Sequence, residues 1–296
     1  MDFIVKNWKE TYCDEWYSHI TKSTHSWNYS RLSSNHNITW RIVKKNCNEK
    51  WNYRHLSKNP NITWEIVLEN SDVPWDYRGL SKNPNITFDI VINNKDRPWD
   101  FKRLTRNPNI TMKIVKENPE IGWSDHYLSK NPNITWRDVC ENSQIRWDFN
   151  RLARNANMTL DIIMNNSDRQ WSRAILCLNP NVTWDYLKDY PDYPWNYYTV
   201  SQNQNITWDM IQKDENKPWN FIAISKNPNI TWEIVEENQY KPWYYEHLSG
   251  NPMTVRYKKY LDKKLEGYRS IVKIILGKHP ILNDDVIALI VNNIII

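Results

Sequence analysis

Glycine is scarce in this chain of 296 residues, at 5, and most of the 15 prolines recur at two fixed places in a repeat. That combination excludes a flexible linker at which a domain boundary could sit. Cysteine is scarce too. Cys13, Cys47, Cys140 and Cys177 fall at unrelated repeat positions without metal-ligand spacing, so free, mostly structural thiols in a reducing compartment are expected. The most apolar stretch, Ile281 to Ile296, is broken by Asn283, Asp284, Asp285, Asn292 and Asn293, which excludes a bilayer span there. Met1 to Lys6 carries no charged segment leading into an apolar run, so no secretory signal is expected and the chain is taken as soluble and intracellular. Charge of one sign is also missing. The 39 basic and 34 acidic side chains leave +5, short of the balance of a dedicated nucleic-acid binder.

The inventory for catalysis is thin. His19, His25, His36, His55, His126, His247 and His279 show no metal spacing, there is no glycine-rich phosphate loop, and no nucleophile stands beside a plausible base. The expectation is a protein that is no enzyme and takes no cofactor or metal.

Aromatic residues are abundant, with 18 Trp and 17 Tyr, and their placement reveals the organisation. Tryptophan recurs every 24 residues at Trp27, Trp51, Trp75, Trp99, Trp123, Trp147, Trp171, Trp195, Trp219 and Trp243. So strict a period means one supersecondary unit stacked on itself, because a unit this small cannot bury its own apolar face. With tryptophan as position one, position two is Asn28, Asn52, Asp76, Asp100, Ser124, Asp148, Ser172, Asn196 or Asn220, the side chains that cap a helix N-terminus. Trp75 and Leu80 then flank Asp76 as a hydrophobic staple. A second capped start follows at Thr39, Thr63, Thr87, Thr111, Thr135, Thr159, Thr183, Thr207 and Thr231. The first helix must stop before the Asn-Pro pair, leaving about six residues, partly 3₁₀; the second, of about seven, is expected to close on a left-handed asparagine such as Asn46 or Asn70. Helices this short depend on stacking.

Position nine is asparagine in every copy, from Asn35 to Asn251, and predicts a buried ladder satisfying open backbone groups between repeats. The Asn-Ile-Thr sequons that follow read as turn chemistry leading into a threonine cap. The predicted fold is an all-α solenoid of ten two-helix repeats over 27–252, with helical caps: a half-degenerate repeat over 1–26 and a helical segment over 253–296.

The string Arg-x-Leu-Ser-Lys-Asn-Pro-Asn-Ile-Thr-Trp-x-Ile-Val resembles the leucine-rich repeat variant, a family whose repeats stack short α and 3₁₀ helices on an Asn-Pro turn. Tryptophan stands where that family has small residues or leucine, and its cysteine cluster is missing, so no iron–sulfur centre is implied. The wording Pro-Trp-Asp-Tyr-Arg-Gly-Leu-Ser-Lys-Asn-Pro-Asn-Ile-Thr also looks like uncharacterised repeat proteins of giant DNA viruses that infect amoebae. That resemblance implies a viral origin and a place in the host cytoplasm or the virion, and it supplies no mechanism.

What remains is a repeat scaffold for a protein partner, host or viral, presented on a surface extended over on the order of 100 Å. Specificity would sit in the columns that vary. Those are positions four and five (Arg54 and His55, Arg78, Lys102 and Arg103) and positions eighteen and nineteen (Lys44 and Lys45, Leu68 and Glu69). The alternative is single-stranded nucleic acid tracking the basic residues of position eight, Lys58, Lys82, Arg106, Lys130, Arg154 and Lys226, with tryptophans stacking bases. The basic column lapses at Leu178, Gln202 and Gly250.

Overall fold

The computed structural model describes residues 2–22 and 27–253, with Lys263 and Glu266. The chain divides into two compact units, one formed by residues 25–252 and the other by residues 1–24 with 253–296. Every regular element among the described residues is helical. The helical cap expected over 253–296 lies, but for those isolated residues, outside them.

Helix α1, Asp2–Thr21, is one continuous helix of 20 residues, not a decayed two-helix repeat. The reason is local. Thr11 and Tyr12 occupy the places where a repeat has Asn-Pro, so nothing stops the helix midway. Tyr12, Cys13, Trp16, Tyr17 and Ile20 are buried along one helical stripe. Burial pushes the Cys13 thiol up to about 12, ahead of its charged neighbours, so it is an inert core group.

The array is an α-solenoid in which each repeat contributes a four-residue first helix and a six-residue second helix, as in α4 (Tyr53–Leu56) and α5 (Trp64–Glu69). Both are shorter than predicted, because each ends in a hydrogen-bonded turn. The caps are where the sequence puts them. Asn52 Oδ1 accepts the His55 N–H at 3.0 Å and Thr63 Oγ1 accepts the Ile66 N–H at 3.4 Å. Leu56, Ile62 and Val67 of this copy form its share of the core.

Three polar rows bind each repeat to the one before. The predicted ladder is present: Asn83 Nδ2, fully buried, donates to the carbonyls of Ser57, Asn59 and Ile62, each at 3.0 Å. Asparagine at position eleven forms a second row, Asn85 Nδ2 reaching the Pro60 carbonyl at 2.7 Å and that of Ile62 at 3.0 Å. Serine at position seven forms the third. Ser57 Oγ donates to the Tyr53 carbonyl at 2.7 Å and accepts the Asp76 N–H at 2.9 Å. Each row satisfies backbone groups that short helices leave open.

The second helices close differently from expectation. Asn46 has φ −123° and ψ 46°, not a left-handed conformation. Its Nδ2 instead donates to the Ile42 carbonyl at 2.8 Å, and its own carbonyl accepts the Trp51 Nε1–H at 2.8 Å. Asparagine here caps through its side chain, so no positive φ is needed.

The array closes on itself. Inside it, Asn59 Nδ2 donates to the carbonyls of Ser33 and Asn35 at 3.0 and 2.9 Å; at its ends Asn35 Nδ2 donates to those of Ser249 and Asn251 at 3.1 and 2.8 Å. The Asn28 N–H reaches Ser249 Oγ at 3.1 Å, just as the Asn52 N–H reaches Ser33 Oγ at 2.8 Å. Trp27 packs on Trp232 at 5.3 Å, repeating the Trp40–Trp75 pair at 5.2 Å, and Arg31 meets Glu246 at 2.9 Å. Helix α2 (Tyr29–Leu32) therefore packs on α20 (Tyr245–Gly250). The expected open surface of about 100 Å is instead a ring, formed because a constant rotation per repeat returns the tenth copy to the first. The end faces that flanking segments are expected to cover meet each other.

Candidate interaction surface

The first helices form the inner row of the ring. A cap at position two and the turn at nine and ten leave only four helical residues, of which position six goes to the core, as Leu56, Leu80 and Leu104 do. Positions five and eight then share a face by their three-residue spacing. At one junction a glycine lets neighbouring helices approach closely. A Cβ on Gly79 in α6 (Tyr77–Leu80) would lie 2.8 Å from Ser57 Cβ and 3.0 Å from the Arg54 carbonyl oxygen.

The position-eight side chains converge from this row. Lys58 feels Arg106, two repeats away, and Arg106 feels Arg154 likewise, a reach that concave curvature permits. Burial lowers the Lys82 ammonium to about 8, with Arg103, Lys58 and Arg106 adding repulsion. Lys58 is lowered first by burial and then by Arg54 and Arg106; Lys130 first by burial and then by Arg151 and Arg106. Among the described residues no carboxylate comes within ion-pair distance of Lys58, Lys82, Arg106, Lys130 or Arg154. Lys58, Lys82 and Lys130 are half-buried and Arg106 and Arg154 exposed, and Asp76 and Asp148 offset only part of the repulsion on the lysines, so an arrangement of this kind points to an anionic ligand.

The other expected surface residues divide. Arg106, Lys130 and Arg154 line one cleft together with Arg151, a position-five residue that the basic column alone does not reveal. Arg54 and Arg78 are engaged with the following repeat, Nε lying 3.6 Å from Asp76 and 3.9 Å from Asp100. Arg103 bonds Asp100 at 3.0 Å. Lys102 is exposed and lines a separate shallow cleft with Arg78, Pro98 and Gly122. His55 turns its Nδ1 to the Ser30 carbonyl of the previous repeat, and burial lowers its pKa, so it serves as a neutral inter-repeat clasp. Lys44, Lys45, Leu68 and Glu69 are exposed on the second helices.

Around the ring the inner row changes character. Repeats two to six carry most of the cations, whereas repeats seven to nine place Ala174, Ile175, Leu178, Tyr198, Ile222 and Ala223 at the same positions, interrupted by Thr199, Gln202 and Lys226. Tyr198 and Ile222 are 43% and 45% exposed. The lapse of the basic column is thus an apolar arc next to a basic one, legible in the sequence once positions four, five and eight are taken together.

The tryptophans are not available for bases. Position-one indoles are buried or half-buried, and each from Trp51 to Trp243 donates Nε1–H to a backbone carbonyl, as Trp99 does to Asn94 at 2.8 Å. Their rings meet the position-fourteen ring two repeats back, Trp64–Trp99 at 5.6 Å and Trp208–Trp243 at 5.5 Å. Where Tyr190 and Asp214 replace the acceptor asparagine, their carbonyls still take the indole N–H at 2.8 Å, since the backbone makes the bond.

Compared with known proteins, the chain matches no family model, no curated protein and no solved structure. Among the described residues no helix is long and apolar enough to cross a membrane.

Proposed function

We propose that the ring is a non-enzymatic scaffold that binds a protein partner on its inner row, inside the cell, host or viral in the setting that the sequence resemblance implies. The observation that carries this reading is the set of mutually repelling cations at position eight that meet no ion-pair partner among the described residues, set beside a largely apolar arc on the same row. A surface bearing both charge and exposed aliphatic groups is the mixed composition of a protein-binding patch. Nucleic acid draws support from the basic arc alone, and the packing of the tryptophans takes away the stacking platform that single-strand binding relies on.

The test is affinity capture from cells with three forms of the protein: unaltered, Lys58→Glu with Lys82→Glu on the inner row, and Lys44→Glu with Lys45→Glu on the second helices. A partner lost with the inner variant and retained with the outer one is the expected result. Partners lost only with the outer variant overturn it, as does tight, salt-sensitive binding of single-stranded RNA by the purified protein.

A further inference from the structure

We infer that the cleft of about 710 Å³ lined by Arg106, Lys130, Arg151, Arg154, Ile175 and Leu178 is a binding site for an acidic peptide segment that carries an aliphatic side chain. This assignment rests on the scaffold reading and names the chemistry of its partner. The site is continuous across the junction between the basic and apolar arcs. Arg106, Lys130 and Arg154 rise from three successive repeats, so their charges are spaced along a path and suit several carboxylates on one chain. A lone anion would satisfy one of them and leave the others opposed.

Arg151 is already oriented by Asp148 at 2.8 Å and by His126 at 3.3 Å, whereas Arg106, Lys130 and Arg154 have no ion-pair partner among the described residues. Guanidinium groups pair with carboxylates through two parallel hydrogen bonds, which gives such a path directional strength. Opposite them, Ile175 and Leu178 are half-buried and stand beside Pro132, Ala156 and Pro180, a wall that gains by covering with a branched aliphatic group. The cleft contains no aromatic side chain and no carboxylate among its lining residues. The first absence removes a stacking surface for a nucleobase, and the second leaves Arg106, Lys130 and Arg154 without an ion-pair partner inside the cleft.

The full chain is titrated at low salt with fluorescein-labelled peptides, followed by anisotropy. One peptide alternates Glu and Leu, one is all Glu and one alternates Lys and Leu; oligodeoxythymidine is the fourth probe. The Glu/Leu peptide is expected to bind. Arg106→Glu with Arg154→Glu should weaken it by at least about tenfold, the scale of losing charge-assisted bonds, and Leu178→Asn by several-fold. Circular dichroism melting checks folding, and Arg154→Gln, a change at an exposed side chain, keeps the test open should the double variant unfold. The all-Glu peptide should bind several-fold more weakly and the Lys/Leu peptide not at all.

Affinity unchanged in the cleft variants overturns the assignment, as does equal binding of the all-Glu peptide or preferential binding of oligodeoxythymidine. Failure of the Glu/Leu peptide to bind also sinks the cleft. It leaves the scaffold reading to the capture experiment, whose inner- and outer-row variants do not alter the cleft residues.

Discussion

The inner row of first helices and the outer row of second helices are built from the same repeats and packed by opposite means. Inside, α4 and α6 come so close that a methyl group on Gly79 would collide with Ser57, asparagine side chains cross to backbone carbonyls of the repeat before, and position-seven hydroxyls accept a backbone N–H of the repeat after. Outside, α5 and its neighbours are bridged by indole pairs such as Trp64 and Trp99, 5.6 Å apart between ring centres. Small residues on one side and large rings on the other make each repeat a wedge. Wedges of constant angle bend a solenoid, and ten of this angle close it. The comparison teaches that curvature here is a matter of side-chain volume, while specificity is left to positions that neither row needs for packing.

The most damaging change should be on the outer side. Trp99→Ala removes a buried indole, its bond to Asn94 and its contacts with Trp64 and Tyr77, and should cost about 3–5 kcal/mol in urea unfolding. On the inner side Asn107→Ala strands the Ser81 carbonyl and the Asn109 N–H and takes one of two bonds from the Asn83 and Ile86 carbonyls, for an expected loss of about 2–4 kcal/mol. A loss in Asn107→Ala well above that in Trp99→Ala would reverse the ranking and make the polar ladder the main brace.

Gly79→Ala tests the close approach itself. Overpacking against Ser57 should lower stability by about 1–3 kcal/mol, and a neutral outcome would show that the inner row has slack. Ser81→Ala, which breaks the bond from the Asp100 N–H and the one to the Tyr77 carbonyl of its own helix, should cost about 1–2 kcal/mol. Ala153 and Cys177 already occupy that position in two repeats, which sets the scale as tolerable.

The smallest effect is electrostatic. Lys82 titrates at about 8 in the folded chain against 10.5 for an ordinary lysine, so between those values the unfolded chain binds more protons and stability rises with pH. Comparing pH-dependent melting of the unaltered protein and Lys82→Met should show that rise reduced in the variant. Identical pH profiles would mean that neither burial nor the neighbouring cations burden Lys82.

Much of the fold was legible from single positions. Asn, Asp and Ser at position two and Thr at thirteen announce caps because their chemistry is local, and Asn35 to Asn251 announce a ladder because an invariant amide in a stack has few other uses. The second asparagine row at position eleven was obscured by the glycosylation sequon that contains it. Its signal was the same constancy that marks position nine. The serine row was obscured by Ala153 and Cys177, which make it look dispensable. Of the surface residues, the position-eight column could be read as basic, but not the engagement of Arg54 with Asp76 or of His55 with Ser30, since both partners lie in neighbouring repeats.

The sequence by itself determined the repeat, its two capped helices, the residues of the core and the columns free to vary, because each follows from short-range backbone and side-chain chemistry. Tertiary structure alone decided that the ends meet. A small change in rotation per repeat separates a ring from an open superhelix, and that rotation reflects the Ser and Asn contacts inside and the tryptophan pairs outside. Closure in turn brings cations from different repeats to one concave face, where residues far apart in the chain acquire a common chemistry.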